Sequence, residues 1–330
     1  MPDWRQQRPW LAETSVCDST LPWTETFLPP GAELGAILAR FQASGFDHVS
    51  LTAAAGRDSA TATLSTLAQL RKAVADSRHL ALATDRAALA AAKAAGRLSV
   101  SFHFQTATPF LGDLALIEPF RALGVTRALL AYNERNLAAD GCHESANAGI
   151  SALGRRAVAA MDAAGLILDL SHCGERTSLE AMELSANPPL FSHSNARALF
   201  DHERNITDEQ IKACARRGGW IGVNGVGFFL AEGACDIAQE ISRHLAHMAD
   251  LVGAEHLGLG LDFMFLEGSD YGFYRRAPER WPRGYPPPPW DFFQPEDIEA
   301  LVVALEQRGF TQAEMQGLLG ENYLRVTLSA

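Results

Sequence analysis

Short apolar runs rich in branched residues alternate along this chain with longer amphipathic segments. A buried strand and an amphipathic helix leave these two signatures. The runs predict strands at 15–20, 48–53, 80–84, 99–105, 127–132, 166–172, 189–193 and 257–263, with one more at 220–226 between the last two. Helix-favouring composition and spacing predict helices over 34–43, 60–75, 86–95, 113–123, 149–164 and 177–185. Gly45, Gly96, Gly124 and Gly165 stand where left-handed caps are needed. Eight strand–helix units in succession predict an α/β fold, a (β/α)8 barrel of the TIM type, with residues 1–330 as a single domain. The competing open, doubly wound sheet lacks its Gly-x-Gly-x-x-Gly turn after the first strand.

A barrel gathers its working groups at the C-terminal ends of its strands. Read in order, those ends carry Asp18 and Thr20, Thr52, Thr84 and Asp85, His103 and Gln105, Tyr132 and Asn133, Asp169 and His172, Ser192 and His193, and Asp262. Polar residues thus collect at one rim of otherwise apolar runs. The rhythm breaks over about 265–293, where Tyr271, Tyr274, Trp281, Tyr285, Pro286–Pro289 and Trp290 crowd together. Such a segment cannot continue a helix or strand, so it is read as a loop over the pocket, a surface wrap or an oligomer contact. Helices resume at 295–308 and 311–319 to form a C-terminal helical tail.

Composition narrows the function classes. The chain has 330 residues, is 47% hydrophobic and 20% charged, and carries a formal net charge of −11, with no basic cluster to set against it. Nucleic acid and anionic membrane surfaces are excluded as partners on that balance. The N-terminus has no apolar leader core and no window reaches membrane-span length, so the expected location is the cytoplasm. Five scattered cysteines (Cys17, Cys142, Cys173, Cys214 and Cys235) fit neither a disulfide framework nor a zinc knuckle and read as reduced thiols. A homodimer is compatible with this pattern and not demanded by it.

The chemistry concentrates at two histidines. His172 closes the run Ile167–His172 and His193 closes Pro189–His193, each preceded by a serine. Two imidazoles at the ends of successive strands point into one pocket and read as metal ligands, with zinc the natural choice. Asp262, in a Gly-Leu-Gly-Leu-Asp setting, reads as a general base or a ligand, against the plainer role of a helix cap. Arg204 follows on a loop, where a guanidinium can clamp a carboxylate. His244 and His247 lack the glutamate of His-Glu-x-x-His and read as surface residues. His48, His79 and His256 read as structural, and His103 is left open. The Asp140–Glu144 turn reads as a glycine-stabilised loop rather than a ligand source.

At these residues the chain resembles the membrane dipeptidase (renal dipeptidase) family of the amidohydrolase superfamily. The matching segments are Asp169–His172, Phe191–Asn195, Arg204–Gln210, Gly218–Asn224, Leu257–Phe263 and Gly320–Val326. The resemblance implies a (β/α)8 barrel hydrolysing dipeptides with two zinc ions. It makes His172 and His193 ligands of one metal, Arg204 the carboxylate clamp and Asp262 the proton-transfer group. It also exposes departures. Thr20 and Pro22 stand where a first-strand His-x-Asp ligand pair belongs, Gln105 stands for the bridging glutamate, and Tyr132 for a substrate-binding histidine. The expectation is therefore a divergent branch, with one divalent metal rather than two. On that expectation the chain is a metal-dependent hydrolase of a dipeptide or similar small amide, with Tyr132 or Asn133 donating to the developing oxyanion. A non-peptidase enzyme acting on a small carboxylated metabolite and a catalytically inactive binding protein are the alternatives.

Overall fold

A computed structural model describes residues 2–23, 33–233, 236–266, 269–276 and 285–328, apart from the Phe273 side chain. Trp281 and Cys235 lie outside the described residues. The strands are β1 (Cys17–Leu21), β2 (His48–Ala55), β3 (Leu80–Leu82), β4 (Leu98–Gln105), β5 (Val125–Leu129), β6 (Ile167–Asp169), β7 (Leu190–Phe191), β8 (Trp220–Val223) and β9 (Leu257–Leu259). All neighbours pair in parallel, in the order β1-β2-β4-β5-β6-β7-β8-β9. Together with the helices that separate them, they form a nearly closed (β/α)8 barrel. The seam between β9 and β1 is tied by the Asp262 N–H donating to Thr20 O at 3.0 Å and the Leu261 N–H donating to Asp18 Oδ1 at 2.9 Å.

One strand assignment needs correction. β3 pairs only with the start of β4 and stands off the barrel path, whereas β8, expected as an extra run, is a full stave. Leu80–Leu82 and Trp220–Val223 are equally short apolar runs, and their places depend on pairing with distant residues. Thr84 and Asp85 therefore leave the rim, and the Asp85 carboxylate instead accepts the Ala88 N–H at the start of Arg86–Ala94.

The helices follow their apolar spacing and their caps. Leu34–Ser44 and Ala152–Ala164 both end on left-handed glycines, Gly45 at φ 100° and Gly165 at φ 66°. Asp208–Arg216 starts with a reciprocal Thr207–Gln210 capping box. Ile237–Val252 buries Ile241, His244, Leu245 and Met248 along one stripe. His244 is consequently no surface residue: its Nδ1 accepts the Ala196 N–H and its Nε2 donates to Leu230 O. Among the described residues no helix is long and apolar enough to cross a membrane.

The barrel interior is unusually polar on the β2–β4–β5 side. His48 lies between Ser99 and Ser101, and His103 between Ser50 and Thr52, all at 2.9–3.1 Å. Burial holds both imidazoles well below their usual proton affinity, and the nearby Arg127 charge adds to this. His103 thus lies within the wall and does not face the rim.

Candidate active site

β6 and β7 deliver the two histidines as their pattern predicts. His172 takes a left-handed backbone, φ 64°. The Nε2 atoms of His172 and His193 lie 2.7 Å apart, with the rings crossing edge-on at 61°. His172 Nδ1 meets Asn133 Oδ1 at 2.7 Å, and His193 Nδ1 meets Ser192 Oγ at 2.6 Å. A consistent assignment has His172 Nδ1–H donating to Asn133, His193 Nε2–H donating to His172, and the Ser192 hydroxyl donating to His193. Burial, then the Arg204 charge, pushes both rings well below the usual imidazole range, so both are neutral. Asn133, expected to face substrate, orients His172 through this contact and is absent from the cavity lining described below. Tyr132 stacks on the His172 ring at 4.0 Å.

Asp262 follows β9, also in a left-handed conformation with φ 55°. Asn224 Nδ2 donates to its Oδ2 at 3.0 Å. Burial raises its carboxyl to about 7, against the opposing pull of Arg204 and Asn224. Close approach at this end of the barrel depends on Gly260, where a Cβ would lie 1.8 Å from the Ser192 carbonyl.

Arg204 is 3% exposed, its Nη2 donates to His193 O at 3.4 Å, and its Nε has no partner. A buried guanidinium with an unused donor is prepared for an anion. Pro22, Thr52, Gln105, Tyr132, His172, Arg204, Asp262, Tyr285 and Trp290 together line a cavity of about 30 Å³. That holds a water or two. A second cavity of about 960 Å³ lies outside it, against Arg40, Asp236, Phe292 and Glu296. It contains none of the histidines, Arg204 or Asp262, so the chemistry belongs to the small one.

The Pro- and aromatic-rich segment does reach the pocket, through Tyr285 and Trp290. Its later part is pinned: the Gly227 N–H donates to Asp291 O, and the Phe293 N–H to Gly225 O, both at 2.9 Å. It also contains one helical turn, Gly272–Arg275, where none was expected. The Asp140–Glu144 turn supplies no ligand to the pocket. Arg135 grips Asp140 at 2.5 and 3.0 Å, and a Cβ on Gly141 would lie 2.2 Å from the Asn133 backbone. Cys17, Cys142, Cys173 and Cys214 are free thiols.

Residues 36–273 match the membrane dipeptidase family, peptidase family M19. The chain belongs to this family. A Schizosaccharomyces pombe protein described as an uncharacterized dipeptidase is 32% identical over 65% of this chain and 49% of its own length. The chain spans about half the length of the fission-yeast relatives it matches. An amidohydrolase from Pseudomonas aeruginosa superposes with a TM-score of 0.85 at 25% identity, covering 97% of both chains. A metallopeptidase from Rhodobacter sphaeroides, solved with a phosphinate mimic of L-Ala-D-Ala, gives 0.76 at 21% identity, covering 95% of this chain and 99% of that one.

Membership in this metallopeptidase family implies a divalent metal, and the side chains present decide how much metal they suit. A two-ion centre does not fit. Thr20, Pro22 and Gln105 offer no carboxylate or imidazole, and among the described residues no group of three or more His, Cys, Asp or Glu is placed to hold an ion. A single ion fits the remaining pair. Both rings are neutral and their Nε2 atoms converge; His172 Nδ1–H donates to Asn133 as a ligating histidine's far nitrogen does, and His193 would match it with its proton on Nδ1, donating to Ser192 Oγ. The two Nε2 atoms are in hydrogen-bonding contact at 2.7 Å, so the rings would have to part to admit an ion.

The pattern of the chain had not flagged two residues of this site. Asn224, which steadies Asp262, is a polar residue just past β8. Arg127, fully buried in β5, is a charge in the middle of the apolar run Val125–Leu129, and that is the signal by which it could have been found.

Proposed function

We propose that this chain is a hydrolase of small carboxylate-bearing amides, dipeptides being the first class to test. The observation that carries the reading is the sharing of one closed cavity by Arg204, with its unused donor, and Asp262, with its carboxyl near 7. His172 and His193 would hold one divalent ion, zinc being the one two neutral imidazoles favour, and when bound it supplies Lewis-acid polarisation of the scissile carbonyl. Arg204 binds the substrate carboxylate and so fixes which bond lies over the histidines. Asp262 accepts a proton from the attacking water and returns it to the leaving amine, a two-way role suited to a group that titrates near neutrality. The Tyr132 hydroxyl, kept protonated by burial, donates to the developing oxyanion. A cavity of about 30 Å³ cannot admit a dipeptide, so Tyr285 and Trp290 must move aside on binding.

The loss of ionisable groups at Thr20, Pro22 and Gln105 favours one second reading, an enzyme for a small carboxylated metabolite that is not a peptide. A panel of dipeptides, assayed after reconstitution with zinc, manganese or cobalt, separates the two. Turnover abolished by Asp262→Asn is expected. No turnover of any dipeptide with any of the three metals sinks the dipeptidase reading in favour of the second.

A further inference from the structure

Beneath the pocket floor lies a cation that the mechanism above does not use. Arg127 projects from β5 into the barrel and is fully buried. Its Nε donates to Asp169 Oδ2 at 3.1 Å and its Nη1 to Ser50 Oγ at 3.0 Å. Its Nη2 donates to the Ser19 carbonyl and to Thr20 Oγ1, the latter at 3.1 Å. A guanidinium cannot lose its proton inside a protein, so this positive charge is permanent.

We propose that Arg127 is the resident cation of this barrel and that it closes the Thr20 side of the mouth to metal, limiting the chain to one divalent ion. The proposal rests on the one-ion reading above. Three observations converge on it. The guanidinium hydrogen-bonds the hydroxyl of Thr20, the side chain that stands at the first-strand ligand position, and that hydroxyl lies 3.5 Å from His193 Nδ1. Anionic atoms on this side are nearly all committed. Asp169 Oδ1 accepts the Ser171 and Ser192 N–H groups while its Oδ2 takes Arg127, and Asp18 Oδ1 accepts the Thr20 and Leu261 N–H groups. Asp18 Oδ2 alone has no partner, and one oxygen does not make a site. Of the neutral groups, Thr52 Oγ1 is engaged by Gln105 Nε2 at 3.0 Å and by His103 Nε2 at 2.9 Å, which leaves the uncharged Gln105 amide oxygen as the donor at the bridging position. A dication there would face a fixed positive charge at short range, and the carboxylates near enough to offset it are Asp18, with one unpartnered oxygen, and Asp262, which the proposed mechanism already uses.

The test counts ions. Wild-type protein dialysed against zinc, and separately against manganese, is analysed for metal per chain. One ion is expected, and two would overturn the proposal. No ion at all would overturn the His172–His193 reading and leave the exclusion by Arg127 standing. The triple variant Thr20→His, Pro22→Asp, Gln105→Glu then restores ionisable donors with Arg127 in place. It is expected to stay at one ion, and to gain a second, bound at least 100-fold more tightly, when Arg127→Met is added. A second ion bound by the triple variant with Arg127 present overturns the proposal. That arm decides even if the quadruple variant does not fold, and circular dichroism checks the fold of each chain.

Discussion

On one side of the mouth, β6, β7 and β9 lead into His172, His193 and Asp262, groups that change charge or ligate within an accessible range. On the other, β1, β4 and β5 carry Thr20, Gln105 and Arg127, which near neutral pH do neither. His172, Asp262 and Arg204 of the first side line the small cavity, where Asp262 and Arg204 each keep unspent hydrogen-bonding capacity, and of the three residues on the second side Gln105 reaches it. The second side spends almost everything internally: Arg127 makes four donor contacts, one of them reaching across to Asp169 of β6. On the proposed function, the same barrel scaffold contains a reactive half and a structural half. Unspent polar capacity, more than burial or charge as such, separates them.

The largest expected effect falls on the reactive half. Asp262→Asn keeps an acceptor for Asn224 Nδ2 and removes the proton-transfer group, so kcat is expected to fall by about 10²- to 10⁴-fold with KM little changed. In the wild type, kcat/KM is expected to rise with pH through a midpoint at or below about 7, because the base must be ionised. A bound ion nearby draws that midpoint lower. Steady-state kinetics from pH 5 to 9 checks both, and a profile unchanged in the Asn variant removes Asp262 from the chemistry.

The next contrast sets the two buried arginines against each other. Arg127→Met leaves the fully buried Asp169 without its ion-pair partner and is expected to cost about 3–5 kcal/mol of stability. Arg204→Met removes a guanidinium held by a 3.4 Å hydrogen bond to His193 O. Its expected cost is smaller, about 1 kcal/mol, with the loss appearing instead as raised KM. Urea denaturation of both variants at pH 7.5 reads the difference. Equal costs would remove the distinction between a structural and a ligand-facing arginine.

This division was partly legible before any coordinates. Ile167–His172, Pro189–His193 and Leu257–Phe263 announce themselves because an apolar run ending in a polar group is local information. Arg127 is local too, a lone charge between Thr126 and Ala128, but its meaning depends on Asp169, 42 residues away. His244 was misread because its pattern, Ile241–His244–Leu245–Met248, is a buried helical stripe in which a histidine takes an apolar place. The β3 and β8 assignments failed for a different reason. Which short strand joins a barrel is decided by pairing register, and single-strand patterning does not encode it.

The smallest effect concerns two aspartates that look alike by burial. Asp18 and Asp262 are both raised to about 7, each chiefly by burial. Asp18, however, lies in the seam, its Oδ1 taking the Thr20 and Leu261 amides, and is absent from the cavity lining. An aspartate whose folded pKa exceeds its unfolded value of about 3.9 contributes stability that is complete below that value and fades as pH rises through about 7. Asp18→Asn preserves the acceptor for both amides and cannot ionise. Its stability relative to wild type should therefore improve between pH 4 and about pH 7 and level off above that, while kcat stays within about twofold because no reacting atom is touched. Denaturation midpoints at four pH values supply the first measurement and initial rates the second. A rate loss comparable to that of Asp262→Asn would place Asp18 in the reactive half and dissolve the division drawn between the two sides of the mouth.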